Sequence, residues 1–158
     1  MNLSVFFNSP LEAGLRLLFL FNNTQKRLLD TQRLIFYNYL LIHSSDIPNA
    51  PKSLHPDMPN RACEMVISRK IIKKGLNLLL SKDLICVKYS KTGIKFKPNK
   101  NTSLFINYLS NDYSKELNER AKWVCDKFDD LSDTNLNKFI QANFGKWGSE
   151  FSKEYIGE

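Results

Sequence analysis

The hydrophobic pattern changes from a helical period to strict alternation near residue 85, and this change constrains the fold more than any other feature. Residues 85–89 carry apolar side chains at every second position, and residues 94–97 repeat the alternation. A period of two is that of a strand with one buried face. The two runs predict a β-hairpin over about 85–97, with Gly93 at a turn position of positive φ. One face of the hairpin is apolar and the other is rich in lysine.

Helical patterns occupy the chain before this hairpin. Ser9 is a good N-cap and Pro10 fits the first position of a helix. The segment 44–60 contains four prolines and predicts a loop. Gly75 leaves open whether the residues around it form one kinked helix or two helices. We predict helices over about 9–21, 30–43 and 61–81.

The order of helix, helix, helix and hairpin predicts a mostly α protein with a small β-hairpin. We expect a winged helix-turn-helix over 1–100, with the hairpin as its wing. Apolar spacings of three and four over 113–128, and a cap at Ser132, predict further helices. The segment 101–158 is therefore expected to be a helical extension packed on the winged helix.

The charge is concentrated in the middle of the chain. The net charge is +7, and residues 61–100 hold eleven basic and two acidic residues. Such an asymmetry is typical of a surface that meets a polyanion. The alternative is that the lysines solvate the hairpin or dock on an acidic protein. The candidate nucleic-acid-binding residues are Lys70, Lys73, Lys74, Lys82, Lys88, Lys91, Lys95 and Lys97.

Lysines outnumber arginines in this segment by nine to two. Lysine suits contacts with phosphates, whereas bidentate reading of base edges favours arginine. We therefore expect that any binding of DNA is to the backbone, with little sequence preference.

Residues for catalysis or metal binding are sparse. We expect no enzyme activity, no catalytic residue, no metal and no cofactor, because the phosphate-binding glycine motifs are missing. His43 and His55 lie at the edges of the proline-rich loop. Each has an aspartate nearby, Asp46 or Asp57, with which it could form a His/Asp pair or bind a metal, and turn formation is the alternative role. A dyad of Cys63 with His55 is a further, weaker possibility. The three cysteines lack CxxC spacing, which favours free thiols in a reducing compartment.

Two features suggest surfaces for partner subunits. The first predicted helix is apolar nearly all round, which fits either the centre of a domain or half of an interface. An aromatic stripe near the C-terminus fits either a core or an interface anchor. The candidate interface residues are Leu17, Leu20, Phe21, Trp147, Phe151 and Tyr155. The longest apolar stretch is shorter than a membrane span and no leader is evident, so we expect a soluble, cytoplasmic protein without membrane contact.

Several segments resemble a known family, the middle component of ABC three-component systems, and within it the group called middle component 2. The most specific marks are NSPLE-x-GLRLL, LDTQRL-x-x-x-NYLLIHSSD and SLHPD-x-P-x-R. The resembling segments span 7–21, 28–46, 51–85 and 109–128.

This resemblance implies a bacterial conflict module such as the Lamassu-type anti-phage systems. It implies a non-catalytic winged helix that bridges an SMC/Rad50-like ABC ATPase and an effector, often a nuclease. The sequence leaves two alternatives beside this adaptor. One is a stand-alone transcription regulator of the winged-helix class, and the other is a small hydrolase that uses His43 and Asp46.

Overall fold

The structure is a computed structural model that describes residues 9–24, 27–57 and 61–147. Its described part contains six helices and one antiparallel hairpin, so the prediction of a mostly α protein with a small β-hairpin is confirmed. No helix in these ranges is long and apolar enough to cross a membrane. The elements in chain order are α1 (Pro10–Asn23), α2 (Thr31–Ile42), a 3-10 turn (Ser44–Asp46), α3 (Ala62–Ser81), β1 (Ile85–Ser90), β2 (Gly93–Pro98), α4 (Lys100–Ile106), α5 (Asp112–Phe128) and α6 (Asp133–Phe144).

Side-chain caps start the helices at the positions that the sequence indicates. The Ser9 hydroxyl accepts a hydrogen bond from the Glu12 amide at 3.1 Å, and Pro10 is the first residue of α1. Asp30 caps α2 by accepting from the Arg33 amide, and Ser132 caps α6. Each cap satisfies an amide that has no partner within its own helix.

Helix α3 is continuous over 20 residues, and Gly75 does not interrupt it. The role of Gly75 is to let α3 approach α1 closely. A Cβ on Gly75 would lie 2.9 Å from the backbone nitrogen of Gly14, which is too close for any side chain. The glycine is therefore required by the close crossing of two helices and does not break α3.

The hairpin has the register that the alternation predicts. Lys88 faces Lys95 across the strands, and Tyr89 faces Ile94. Gly93 has a φ of +116°, as the turn requires. Leu29, in the link between α1 and α2, forms an antiparallel bridge with Phe96 that adds a third short segment to the hairpin.

The core lies around α1, which α3 and α5 flank. Leu17, Leu20 and Phe21 are fully buried there. The sequence left open whether α1 is the centre of a domain or half of an interface, and in the structure it is the centre of the domain. Helix α5 packs on α1 and α2 through its own apolar stripe, so the C-terminal helices share one core with the first three.

Candidate functional site

A basic surface covers the outer face of α3 from Lys70 onward and the lysine face of the hairpin. Seven of the eight candidate lysines are exposed and Lys95 is half-buried. None of the eight has a carboxylate within ion-pair distance among the described residues. Residues 61–100 contain two carboxylates. That of Asp83 accepts from the side-chain amides of Asn99 and Asn101, and that of Glu64 contacts His43. The positive charge of this surface is therefore available to an anionic partner.

The hairpin places two lysines directly against each other. Lys88 and Lys95 are cross-strand partners, and like charges opposite one another weaken a hairpin. An anion bound over this pair would relieve the repulsion. On the opposite face, Tyr89 and Ile94 are also partners, and both side chains are exposed near the tip.

The N-terminal half of α3 presents an apolar surface that sequence reasoning missed. The side chains of Val66 and Ile67 are 70% and 76% exposed, and Cys63 is exposed beside them. A signal was available in the sequence, because these three positions share a helical face with Lys70 and the lysines beyond it. The outer face of α3 is thus apolar at its beginning and basic towards its end.

The proline-rich loop holds its polar side chains in separate pairs. His43 Nε2 lies 2.9 Å from Glu64 Oε2. Asp46 accepts from the Arg61 guanidinium and from the Tyr39 hydroxyl. The side chains of Asp46 and Arg61 are almost wholly buried. Burial and the hydrogen bond to Asp46 raise the pKa of the Tyr39 hydroxyl. His43 and Asp46 thus bind different partners, and the loop is fastened to the start of α3.

A second histidine of this loop lies near buried charges. His55 has a pKa lowered to about 4, first by burial and then by the positive charges of Arg16 and His43, which Glu64 partly opposes. Arg16 is 1% exposed, and its Nε donates to Asn38 Oδ1 at 2.8 Å. These groups bring α1, α2 and the loop together in the interior.

The candidate interface residues lie in two places. Leu17, Leu20 and Phe21 are core residues that a partner cannot reach from outside. Trp147 is also buried, and its ring stacks on Tyr39 with centroids 4.7 Å apart. Phe151 and Tyr155 lie outside the described residues.

The cysteines and the possible metal ligands are dispersed. Cys63 is exposed, Cys86 is half-buried and Cys125 is buried, and all three are free thiols. Burial raises the pKa of the Cys125 thiol, so it stays protonated at neutral pH. Within residues 9–24, 27–57 and 61–147, no three His, Cys, Asp or Glu side chains are grouped to hold a metal ion.

The described residues thus define a small helical protein with a basic hairpin and with exposed apolar side chains at the start of α3. The sequence model of the family described as ABC-three component (ABC-3C) system Middle Component 2 matches residues 6–150. Because this match covers most of the chain, the protein belongs to that family. No curated protein and no solved structure matches the chain. Membership makes it an accessory middle component, and it implies partner components in the same system.

Proposed function

We propose that this chain is a non-catalytic middle subunit that bridges an SMC/Rad50-like ABC ATPase and an effector such as a nuclease. In this proposal the complex is a cytoplasmic anti-phage defence assembly of the Lamassu type. The observation that carries the proposal is the match to the middle-component family over residues 6–150.

The topology supports a winged helix as the scaffold. Three helices precede a hairpin, and the link between α1 and α2 pairs with β2 through Leu29 and Phe96. A winged helix has a short strand at this place, which joins the wing into a three-stranded sheet. The loop between α2 and α3 is longer than the turn of a simple helix-turn-helix, and the Asp46–Arg61 pair fastens it.

The basic surface supports contact with the backbone of double-stranded DNA. Its lysines have no carboxylate partners in the described part of the chain, and two of them repel each other across the hairpin. Binding of phosphates would release counterions and would weaken as salt increases. A sequence-specific regulator would need side chains that read bases near the start of α3, where this chain has Val66 and Ile67.

The pairing of polar groups supports a non-catalytic role. A hydrolase that used His43 and Asp46 would need the two side chains to act on one substrate. Here Asp46 binds Arg61 and Tyr39, and His43 binds Glu64. These contacts stabilise the loop.

Co-purification tests the bridging role. The tagged chain is co-expressed with the ATPase and effector components of its own system, and the complex is isolated by affinity and size exclusion. We expect both components to be recovered with it. Isolation of a homodimer that protects one operator from cleavage would support the transcription regulator and overturn the adaptor.

Charge reversal tests the DNA contact. Replacing Lys88, Lys95 and Lys97 with glutamate should weaken salt-sensitive retention of DNA by the assembly. A triple reversal of Lys115, Lys122 and Lys127 is the control, because it changes the charge equally on another element, α5, where Lys115 and Lys122 have carboxylate partners. Equal retention by the two variants would show that the hairpin lysines only face solvent.

A further inference from the structure

A groove lies between α2, α3 and α6, beside the apolar half of the α3 outer face. Its volume is about 330 Å³. Its floor is apolar and well buried, and consists of Ile35, Phe36, Met65 and Ile140. Val66 forms one wall and is 70% exposed. Pockets of this size and lining accept apolar groups, here the side chains of a short segment.

The rim of the groove is polar and positively charged. Gln32, Asn137 and Gln141 provide amides that can both donate and accept hydrogen bonds. Arg69 is the one charged residue of the lining, and its guanidinium donates to the Gln32 side chain. No carboxylate pairs with Arg69 among the described residues, and none lines the groove. The complementary occupant is therefore apolar in its centre and acidic at its edge.

This surface differs from a DNA-reading helix. In a helix-turn-helix, the first residues of the recognition helix meet base edges. The first residues of α3 instead expose Cys63, Val66 and Ile67, which carry no positive charge for a phosphate. Of the three, only the Cys63 thiol can hydrogen-bond, and it does so weakly. Exposed valine and isoleucine next to an apolar groove are typical of a surface that another protein covers.

We propose that this groove is a docking site for an apolar, acidic segment of one partner component, with a carboxylate of that segment opposite Arg69. The inference rests on the proposed function, because it assigns one of the two bridging contacts to a place on the chain. The outer face of α3 then serves two partners, a protein at its N-terminal half and a polyanion at its basic half.

Photocross-linking in the co-expressed assembly tests which molecule occupies the groove. A benzophenone amino acid is placed at Val66 and, as control, at Leu104, which is also apolar and exposed but lies on α4. We expect the Val66 probe to capture a peptide of the ATPase or the effector that combines apolar residues with Asp or Glu. Capture of residues 148–158 of the same chain, of a second copy or of DNA would overturn the inference.

Substitutions test the energetics of the same contact. Val66→Asp and Arg69→Glu should each weaken the affinity of the captured component by about tenfold or more, as the loss of an interface anchor does. Leu104→Asp is the matched control and should leave that affinity within about twofold. A lysine introduced for the acidic residue of the partner should restore binding to the Arg69→Glu variant.

The outcomes separate the inference from the function on which it rests. If the native chain recovers neither component, the bridging function itself is wrong. If both components are recovered equally well with Val66→Asp and Arg69→Glu, the groove is not the docking site and the bridging function stands. Thermal unfolding of each variant shows whether a loss of binding is a loss of folding. Arg69→Glu changes an exposed side chain and removes its hydrogen bond to Gln32.

Discussion

Arg33 shows how single buried charges hold this fold together. Its guanidinium donates to Asp133 at 2.8 Å, to the Tyr37 hydroxyl at 2.8 Å and to the Leu131 carbonyl at 2.6 Å. These bonds tie α2 to the link between α5 and α6. Because the donors are satisfied, the arginine can be buried without the usual cost of an isolated charge.

At the scale of the residue, His55 makes stability depend on pH. Its pKa is about 4 in the folded chain against an ordinary value of 6.5. Between these values the unfolded chain binds a proton that the folded chain does not, so the free energy of unfolding falls as pH falls from 6.5 towards 4. Between pH 7 and pH 5, the free energy of unfolding of a His55→Gln variant should fall by roughly 1 kcal/mol less than that of the native protein. This figure includes a discount for the partial exposure of His55.

Urea unfolding of the native protein and of the His55→Gln variant at pH 7, 6 and 5 measures this difference in the pH dependence of stability. The other titratable groups are the same in the two proteins, so the difference between their slopes reports on His55 and its interactions with Arg16, His43 and Glu64. Parallel curves would show that His55 is protonated alike in the folded and unfolded chains.

The partners of the buried arginines could not be predicted from the sequence. Arg16 binds a residue 22 positions away, and Arg33 binds one 100 positions away. Periodicity and composition carry no information about such partners. The exposure of the lysines was predictable because exposure is the ordinary state of lysine, and their placement needed only the period of α3 and the register of one hairpin.

At the scale of the element, local signals were sufficient for most boundaries. The caps at Ser9, Asp30 and Ser132 act within three residues, and the hairpin register follows from alternation and one glycine. The Leu29–Phe96 bridge could not be predicted, because it joins segments 67 residues apart that meet only after folding. Gly75 was ambiguous for the same reason, since its neighbour lies on another helix.

The crossing of α1 and α3 gives a test at this scale. Gly75→Ala would place a Cβ 2.9 Å from the Gly14 nitrogen and 3.3 Å from the Ala13 carbonyl carbon. Both are backbone atoms that cannot turn aside, so the helices must separate. We expect a loss of about 1–3 kcal/mol in the free energy of unfolding, as for other overpacked cores.

Gly14→Ala is the matched control, since its Cβ would lie no closer than 3.5 Å to any neighbour (Gly75 O), which is an ordinary contact distance. It should be neutral or should stabilise α1 by up to about 1 kcal/mol through helix propensity. Chemical unfolding of the two variants measures both effects. Equal stability of the two variants would mean that the helices are not closely crossed at Gly75.

At the scale of the whole molecule, the uneven charge of the sequence places most of the excess positive charge on α3 and the hairpin. The segment 61–100 forms α3 and the hairpin, and it carries nine units of excess positive charge. The remaining helices bury their apolar faces around α1 and contribute little positive charge. One side of the molecule is therefore suited to a polyanion, while the start of α3 and the groove beside it are suited to a protein.

The salt dependence of DNA retention tests whether α3 and the hairpin meet the same duplex. Each phosphate contact of a lysine contributes about 0.9 to the slope of log K against log salt concentration. Replacing Lys88, Lys95 and Lys97 with glutamine should lower the magnitude of that slope by up to about 2.7 if all three touch phosphates. The same change at Lys70, Lys73 and Lys74 should lower it by a similar amount if the duplex lies along α3 as well. A reduced slope for the hairpin variant alone would show that DNA meets only the hairpin. Such a result would argue against the helix-and-wing mode of binding, while both reductions together would support it.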